Sequence, residues 1–175
     1  MLNSLFACES FKHPKQVGTF VSSSRHVGKR MAQQLNGEMH VLEFGAGTGS
    51  ITTEILKHLP TNGRLTCFEI NPRFCDQLRK IEDRRLKVIN DDAKNAKNYL
   101  DYAGCIVSAL PLTIADKNSR EQILEIASKA STFIQLQYTP FLAKRLKALF
   151  PEVRTKFVLF NIPPVFIYIC NGAAK

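Results

Sequence analysis

No apolar run in this 175-residue chain reaches the ~20 residues that a membrane-spanning helix needs. The best candidate, residues 157–170, is interrupted by Asn161 and by Pro163-Pro164. Near the N-terminus, Leu5-Phe6-Ala7-Cys8 is too short for the apolar centre of a secretory signal, and Glu9 follows it at once. Cysteine is sparse, scattered and odd in number: Cys8, Cys67, Cys75, Cys105 and Cys170, three of them in or beside expected strands. These are expected to be buried thiols in a reducing cytoplasm, not bridges or zinc ligands. His13, His26, His40 and His58 show no metal-ligand spacing, so no metal is implied. Acidic residues are also few, 15 against 24 Lys and Arg, which leaves a net charge of +9. That balance points to a polyanionic partner, either nucleic acid or an acidic membrane surface.

With 45% hydrophobic residues, the chain has enough apolar surface for one domain with a full core. Its first 34 residues hold Lys12, Lys15, Arg25, Lys29 and Arg30 against Glu9 alone, interleaved with Leu2, Leu5, Phe6, Phe11, Val17, Phe20 and Val21. A basic segment with interleaved apolar residues lies well in a lipid interface. The other reading is a helical arm that packs across the domain with a solvated basic face. The expected division is therefore an N-terminal arm, residues 1–34, and a domain, residues 35–175.

The densest signal is Val41-Leu42-Glu43-Phe44-Gly45-Ala46-Gly47-Thr48-Gly49, an apolar strand running into three glycines at alternate positions. Glycines there let backbone approach a ligand where a Cβ would collide. The following segment carries Ile51, Ile55, Leu56 and Leu59 on one helical face, so the glycines sit at a strand-to-helix turn. A dinucleotide fingerprint would need Gly-x-Gly-x-x-Gly. Here the spacing is Gly-x-Gly-x-Gly, with Glu43 two places ahead of it. A second acid, Glu69, closes the next apolar run, and Asn90-Asp91-Asp92-Ala93 closes the one after. Alone, such a turn is often only a tight connection, and Asp91-Asp92 could be a helix cap. Three of these features in order, each after an apolar strand, are harder to dismiss.

This pattern resembles the Glu-x-Gly-x-Gly-x-Gly motif of class I S-adenosylmethionine-dependent methyltransferases. The resemblance implies S-adenosylmethionine as cofactor, cradled by Glu43, Gly45, Ala46, Gly47 and Gly49. Glu69, followed by Ile70, would accept both ribose hydroxyls. Asp92 would accept from the adenine amine while the Ala93 amide donates to the ring, with Asp91 an open alternative to Asp92.

Strand and helix patterns alternate through the rest of the chain. Strands are expected at 39–44, 64–69, 86–89, 104–108, 133–137, 153–160 and 165–170, and helices from 50, at 72–81, near 93, at 119–129 and at 140–150. Alternation of this kind predicts an α/β fold, a mostly parallel sheet with helices on both faces. The link 161–164 is too short for a crossover, so the last two strands form an antiparallel hairpin. The whole is a Rossmann-like, seven-stranded sheet, which is also what the resemblance implies.

The fourth strand runs into Ser108-Ala109-Leu110-Pro111-Leu112, where such enzymes read their substrate. Base-amine methyltransferases carry Asn/Asp-Pro-Pro-aromatic there, or Asn-Leu-Pro-Tyr in the rRNA dimethyladenosine transferases. This chain offers Ser108 and Leu112 instead of the amide and the ring. Ser-Ala-Leu-Pro-Leu is similar to the bacterial phospholipid N-methyltransferases. The likeness extends through Val17-Gly18, Ser22-Ser23-Ser24-Arg25, Glu69-Ile70-Asn71-Pro72, Gln135-Leu136-Gln137-Tyr138-Thr139-Pro140 and Asn161-Ile162-Pro163-Pro164-Val165. Two positions depart from it: Ser22 stands where proline is usual, and Asn90-Asp91 replaces a residue-glycine pair.

The resemblance implies methylation of phosphatidylethanolamine toward phosphatidylcholine, with the protein peripheral at the inner membrane surface and held to anionic lipid through residues 1–34; a monomer is expected. The carbonyl of Ser108, a cofactor contact as well, or the Leu110-Pro111 backbone would face the amine. Tyr138 would lie against the growing methylammonium by cation–π attraction, or be a half-buried tyrosine whose hydroxyl reaches water. Arg25 or Lys29 would hold the lipid phosphate, unless Arg25 is a solvated charge. The alternative activity, methylation of adenine N6 in rRNA or another nucleic acid, is the less expected.

Overall fold

The computed structural model of the protein describes residues 18–102, 104–159 and 163–172, with the side chains of 18–24 and 100–102 left aside. The first segment of the expected arm, residues 1–17, and residues 161 and 162 of the 161–164 link lie outside the described residues.

The elements follow in the order α1 (Gly18–Ala32), β1 (His40–Phe44), α2 (Ser50–His58), β2 (Arg64–Phe68), α3 (Pro72–Leu78), β3 (Leu86–Ile89), a 3₁₀ segment (Ala93–Tyr102), β4 (Cys105–Ser108), α4 (Lys117–Ala127), β5 (Thr132–Gln137), a 3₁₀ turn (Pro140–Leu142), α5 (Ala143–Leu149), β6 (Glu152–Val158) and β7 (Val165–Asn171). All seven expected strands form, within two residues of their expected bounds. Helical ends differ more. Asp116 caps α4 by accepting from the Ser119 amide at 2.9 Å, which starts that helix two residues before the expected Ser119. Pro140 forces a 3₁₀ turn ahead of α5, and the segment after β3 is 3₁₀ throughout.

The sheet order is β3-β2-β1-β4-β5-β7-β6, with β7 antiparallel to both its neighbours. The chain leaves β1 for β2 and β3, then returns to β4 on the other side of β1. That reversal makes the topological switch point at which α/β sheets bind ligands, beyond the carboxyl ends of the strands.

Two apolar clusters cover the two faces of the sheet. On one, Val41, Val107, Ile134 and Ile167 pack with Ile51, Ile55, Leu56 and Leu59 of the α2 segment and with Val27, Met31 and Ala32 of α1. On the other, Phe44, Phe68, Phe133 and Tyr168 pack with α4 and α5. The C-terminal half of α1 is thus part of the core, while Arg25, Lys29 and Arg30 stay exposed on its outer side. A Cβ at Gly28 would come within 3.1 Å of the Ser50 carbonyl, so α1 crosses α2 as closely as backbone allows. Cys67, Cys75, Cys105 and Cys170 are buried free thiols, as expected, and Cys8 lies outside the described residues.

Candidate active site at the carboxyl ends of the strands

The turn after β1 is built from left-handed backbone: φ is 73° at Gly45, 55° at Gly47 and 86° at Gly49. A Cβ at Gly45 would lie 2.8 Å from Leu110 Cδ2, so the loop after β4 closes directly over it. At Gly47 a Cβ would meet nothing within 4 Å, which leaves open space beside the backbone for a ligand. Gly49 caps α2 without any side-chain acceptor, so the cap leaves the amides of the first helical turn without a side-chain partner from that position.

Glu69 ties this loop to the end of β2. Its carboxylate, 7% exposed, accepts from the Gly47 amide at 2.8 Å and from the Asn71 amide at 2.8 Å, one on each oxygen. A carboxylate has about four acceptor positions, so two remain for the hydroxyls of a ribose. Two fixed amides also hold it in place before any ligand arrives. Asn90, at the end of β3, donates through Nδ2 to the Glu69 and Ile70 carbonyls at 2.9 and 3.0 Å. The departure from a glycine-type turn is therefore a clamp between the β2 and β3 loops.

Ile70 is 69% exposed and offers a flat apolar flank. Asp92 accepts from the Lys94 amide at 3.0 Å and pairs with Lys94 Nζ at 3.1 Å. Asp91 is turned into its own loop, accepting from the Asp92 amide and from Asn95 Nδ2. Ala93, buried, opens the 3₁₀ segment.

Glu43 lies beneath the glycine loop, on the α2 side of the sheet and fully enclosed. Thr52 Oγ1 and Cys67 Sγ both donate to one of its oxygens, at 2.7 and 3.0 Å, and the other oxygen has no partner. Desolvation first, and the charge of Glu69 in addition, push its pKa up to about 7. Its immediate effect is to fix Thr52, in the first turn of α2, to β1, with Cys67 of β2 on the same oxygen. Nothing in the sequence marked Thr52 as its partner.

The acceptor side is formed by the loop after β4. Ser108 is buried, and its Oγ accepts from the Leu110 amide at 3.3 Å. The Leu110 carbonyl accepts from the Leu112 amide at 2.8 Å, Gln135 Nε2 at 3.0 Å and Gln137 Nε2 at 2.9 Å. The Pro111 carbonyl accepts from the Ile114 and Ala115 amides. This corrects the expectation that Ser108 or the Leu110-Pro111 backbone faces an amine: the Leu110 and Pro111 oxygens hold the loop, and Ser108 is 0% exposed with its Oγ turned to the Leu110 amide. Gln135 and Gln137 belong to a segment that carries the family likeness, but the sequence gives them no role, because only the β4–β5 pairing brings them under Leu110. A second correction concerns register. Matching Leu110-Pro111 to the Leu-Pro of Asn-Leu-Pro-Tyr puts the Asn position at Ala109, not Ser108. Neither offers a carboxamide, and Leu112, 1% exposed, is packed in the core.

Beside this loop opens a cavity of about 240 Å³, walled by Pro111, Thr113, Tyr138, Thr139, Phe157 and Phe166 among others. Tyr138 is half-buried, and burial pushes its phenol pKa up. Thr139 Oγ1 is buried in the same wall without a partner. A larger cavity, about 510 Å³, lies elsewhere, at the amino ends of β1–β3 with Arg64, Arg84 and Lys87 around it. The two are at opposite ends of the sheet.

S-adenosylmethionine fits this geometry. It carries two ribose hydroxyls for the free acceptor positions of Glu69 and needs the open backbone at Gly47. Having no pyrophosphate, it does not require the third glycine spacing of a dinucleotide turn.

Comparison with known proteins agrees. Residues 20–139 match the model of the family described as ribosomal RNA adenine dimethylase. The chain is 27% identical to an ornithine lipid N-methyltransferase of Singulisphaera acidiphila over 98% of its own length and 96% of that protein. It is 34% identical to ribosomal RNA small subunit methyltransferase A of Corynebacterium diphtheriae, but over only 48% of this chain and 30% of that one. Among solved structures, the 23S rRNA methyltransferase ErmE superimposes with a TM-score of 0.59 at 21% identity, covering 85% of this chain and 68% of that one. The glycine turn, the Glu69 clamp and the mixed seven-stranded sheet thus come with a match across most of the chain, which belongs to the ribosomal RNA adenine dimethylase family of S-adenosylmethionine-dependent N-methyltransferases.

Proposed function

We propose that the protein transfers methyl groups from S-adenosylmethionine to the amine of a phospholipid headgroup, phosphatidylethanolamine toward phosphatidylcholine. The observation that carries this reading is the acceptor cavity. Its walls are mostly apolar and hydroxyl-bearing; the Gln137 carboxamide among them is already engaged, accepting from Thr113 and donating to the Leu110 carbonyl, and neither Ala109 nor Leu112 supplies the carboxamide or ring that would read a base. The full-length similarity to a lipid N-methyltransferase supports it, against a partial one to an rRNA methyltransferase.

The cofactor, when bound, supplies an electrophilic methyl group on a sulfonium. The protein has to hold the amine in line with it and exclude water. The Tyr138 ring, in the cavity wall with Pro111, orients the amine, and the ring face stabilises the methylammonium that forms. An apolar wall also favours the neutral, nucleophilic form of the amine, since burial disfavours the ammonium. Arg25 and Lys29, exposed on α1, are the cations proposed for the lipid phosphate. Residues 1–34 would hold the protein, as a monomer, to anionic lipid at the inner membrane surface.

Radiolabelled S-adenosylmethionine should be offered in parallel to phosphatidylethanolamine vesicles, ornithine-lipid vesicles and rRNA. Label in phosphatidylethanolamine is expected. Label in ornithine lipid alone would move the substrate to another amine lipid, and label in RNA alone would refute the lipid reading.

A further inference from the structure

Exposed large apolar side chains have a restricted distribution. Among the described residues they are Ile70, Ile114, Phe141, Phe157 and Leu159, from 39% to 81% exposed. Ile70 follows β2, Ile114 follows β4 and Phe141 follows β5. Strand β6 is antiparallel to β7, as β5 is, so β6 runs parallel to β5, and Phe157 and Leu159 mark its carboxyl end. All five therefore stand on the carboxyl rim of the sheet, and none on the amino rim. Isolated exposed leucines need no explanation, but confinement of every one to the rim that holds the active site does.

Four of them, Ile114, Phe141, Phe157 and Leu159, belong to the ends of β4, β5 and β6, which are three inter-strand steps or about 14 Å apart. Ile114 and Phe157 are themselves part of the acceptor cavity wall. The group thus lies on the same rim as the acceptor cavity, two of its members in the cavity wall.

Charge around the same rim is complementary to an anionic surface. Exposed Lys117 lies three residues beyond Ile114, and exposed Lys144 three beyond Phe141. Nearby acids are engaged locally: Asp116 caps α4, Glu121 pairs with Arg145, and Asp92 pairs with Lys94. Apolar side chains that enter the headgroup layer, flanked by lysines, form an interfacial docking surface.

We infer that the carboxyl rim formed by Ile114, Phe141, Phe157 and Leu159, with Lys117 and Lys144, seats directly on an anionic lipid bilayer, so that the acceptor cavity opens onto the lipid surface. This inference rests on the lipid-methylation reading for its purpose, but not for its test. It places membrane contact on the catalytic domain itself, in addition to residues 1–34.

The test uses the full chain and the double variant Phe141→Ser/Leu159→Ser, neither residue being part of the cavity wall. Co-sedimentation with vesicles of phosphatidylethanolamine and phosphatidylglycerol is expected to show a dissociation constant raised fivefold or more. S-adenosylhomocysteine affinity, and turnover on a short-chain phosphatidylethanolamine dispersed below its micelle concentration, should stay unchanged. A rise of less than fivefold overturns the docking surface and leaves the lipid substrate standing. If the parent protein methylates no lipid while the variant still loses vesicle binding, the substrate reading falls and the docking surface holds.

Discussion

Glu43 gives the sharpest quantitative expectation. Its carboxyl is fully buried, with two donors on one oxygen and none on the other, and burial raises its pKa from 4.5 to about 7. In the unfolded chain it releases its proton near the ordinary value, while the folded protein keeps it until neutrality. Between those pH values the folded state binds more protons, so stability is full below about 4.5 and is lost as pH rises through 7. At 1.36 kcal/mol per pH unit, the interval from 4.5 to about 7 corresponds to about 3 kcal/mol. The variant Glu43→Gln keeps an oxygen for the Thr52 hydroxyl and the Cys67 thiol but has no proton to lose. Urea unfolding of both proteins, followed by far-ultraviolet circular dichroism, gives each stability as a function of pH. The difference between parent and variant should shift by about 3 kcal/mol in favour of the variant from pH 4.5 to 7.5. Any fixed cost of burying the new amide cancels in that comparison. Parallel curves across this range would refute the reasoning, because they would mean that Glu43 ionises in the fold as easily as in the unfolded chain.

Three further outcomes are expected. Glu69→Ala removes the acceptor shared by the Gly47 and Asn71 amides and should weaken S-adenosylhomocysteine binding by ~1–3 kcal/mol in calorimetry; an unchanged affinity would remove Glu69 from the ribose site. Gly45→Ala combines a φ of 73° with a contact 2.8 Å from Leu110 Cδ2, so it should cost ~1–3 kcal/mol of stability in urea unfolding and lower cofactor affinity. Gln137→Leu frees the Leu110 carbonyl from one donor and Thr113 from its acceptor. It should lower kcat while S-adenosylhomocysteine affinity holds, and unchanged turnover would mean that this pin does not position the acceptor loop.

What the sequence made legible and what it hid divide along the length of the interactions involved. The glycine turn, Glu69 and the strand alternation are local signals: a glycine where φ must be positive, an acid at a strand end, an apolar run of strand length. Each could be named because its cause lies within a few residues. The antiparallel ending was legible for the same reason, since the link at 161–164 cannot carry a crossover. Helix starts were read less well where a cap decided them, as at Asp116, or where a proline changed the turn, as at Pro140.

The acceptor site was read in outline only. Ser108 to Leu112 stood out as a motif, yet what its backbone does depends on Gln135 and Gln137, about 25 residues away and placed beneath it only by the parallel pairing of β4 with β5. A carbonyl named as an acceptor for substrate turned out to be saturated by the protein's own amides. The same holds for Glu43, whose pKa is raised by the absence of water around it and by the charge of Glu69 at the end of the neighbouring strand, against the lowering effect of the hydrogen bonds from Cys67 and Thr52. In each case the chemistry of one residue is set by a neighbour that the fold supplies. This makes Leu110 a structural pin: its carbonyl is taken up by the Leu112 amide and by the two buried glutamines that hold the loop still.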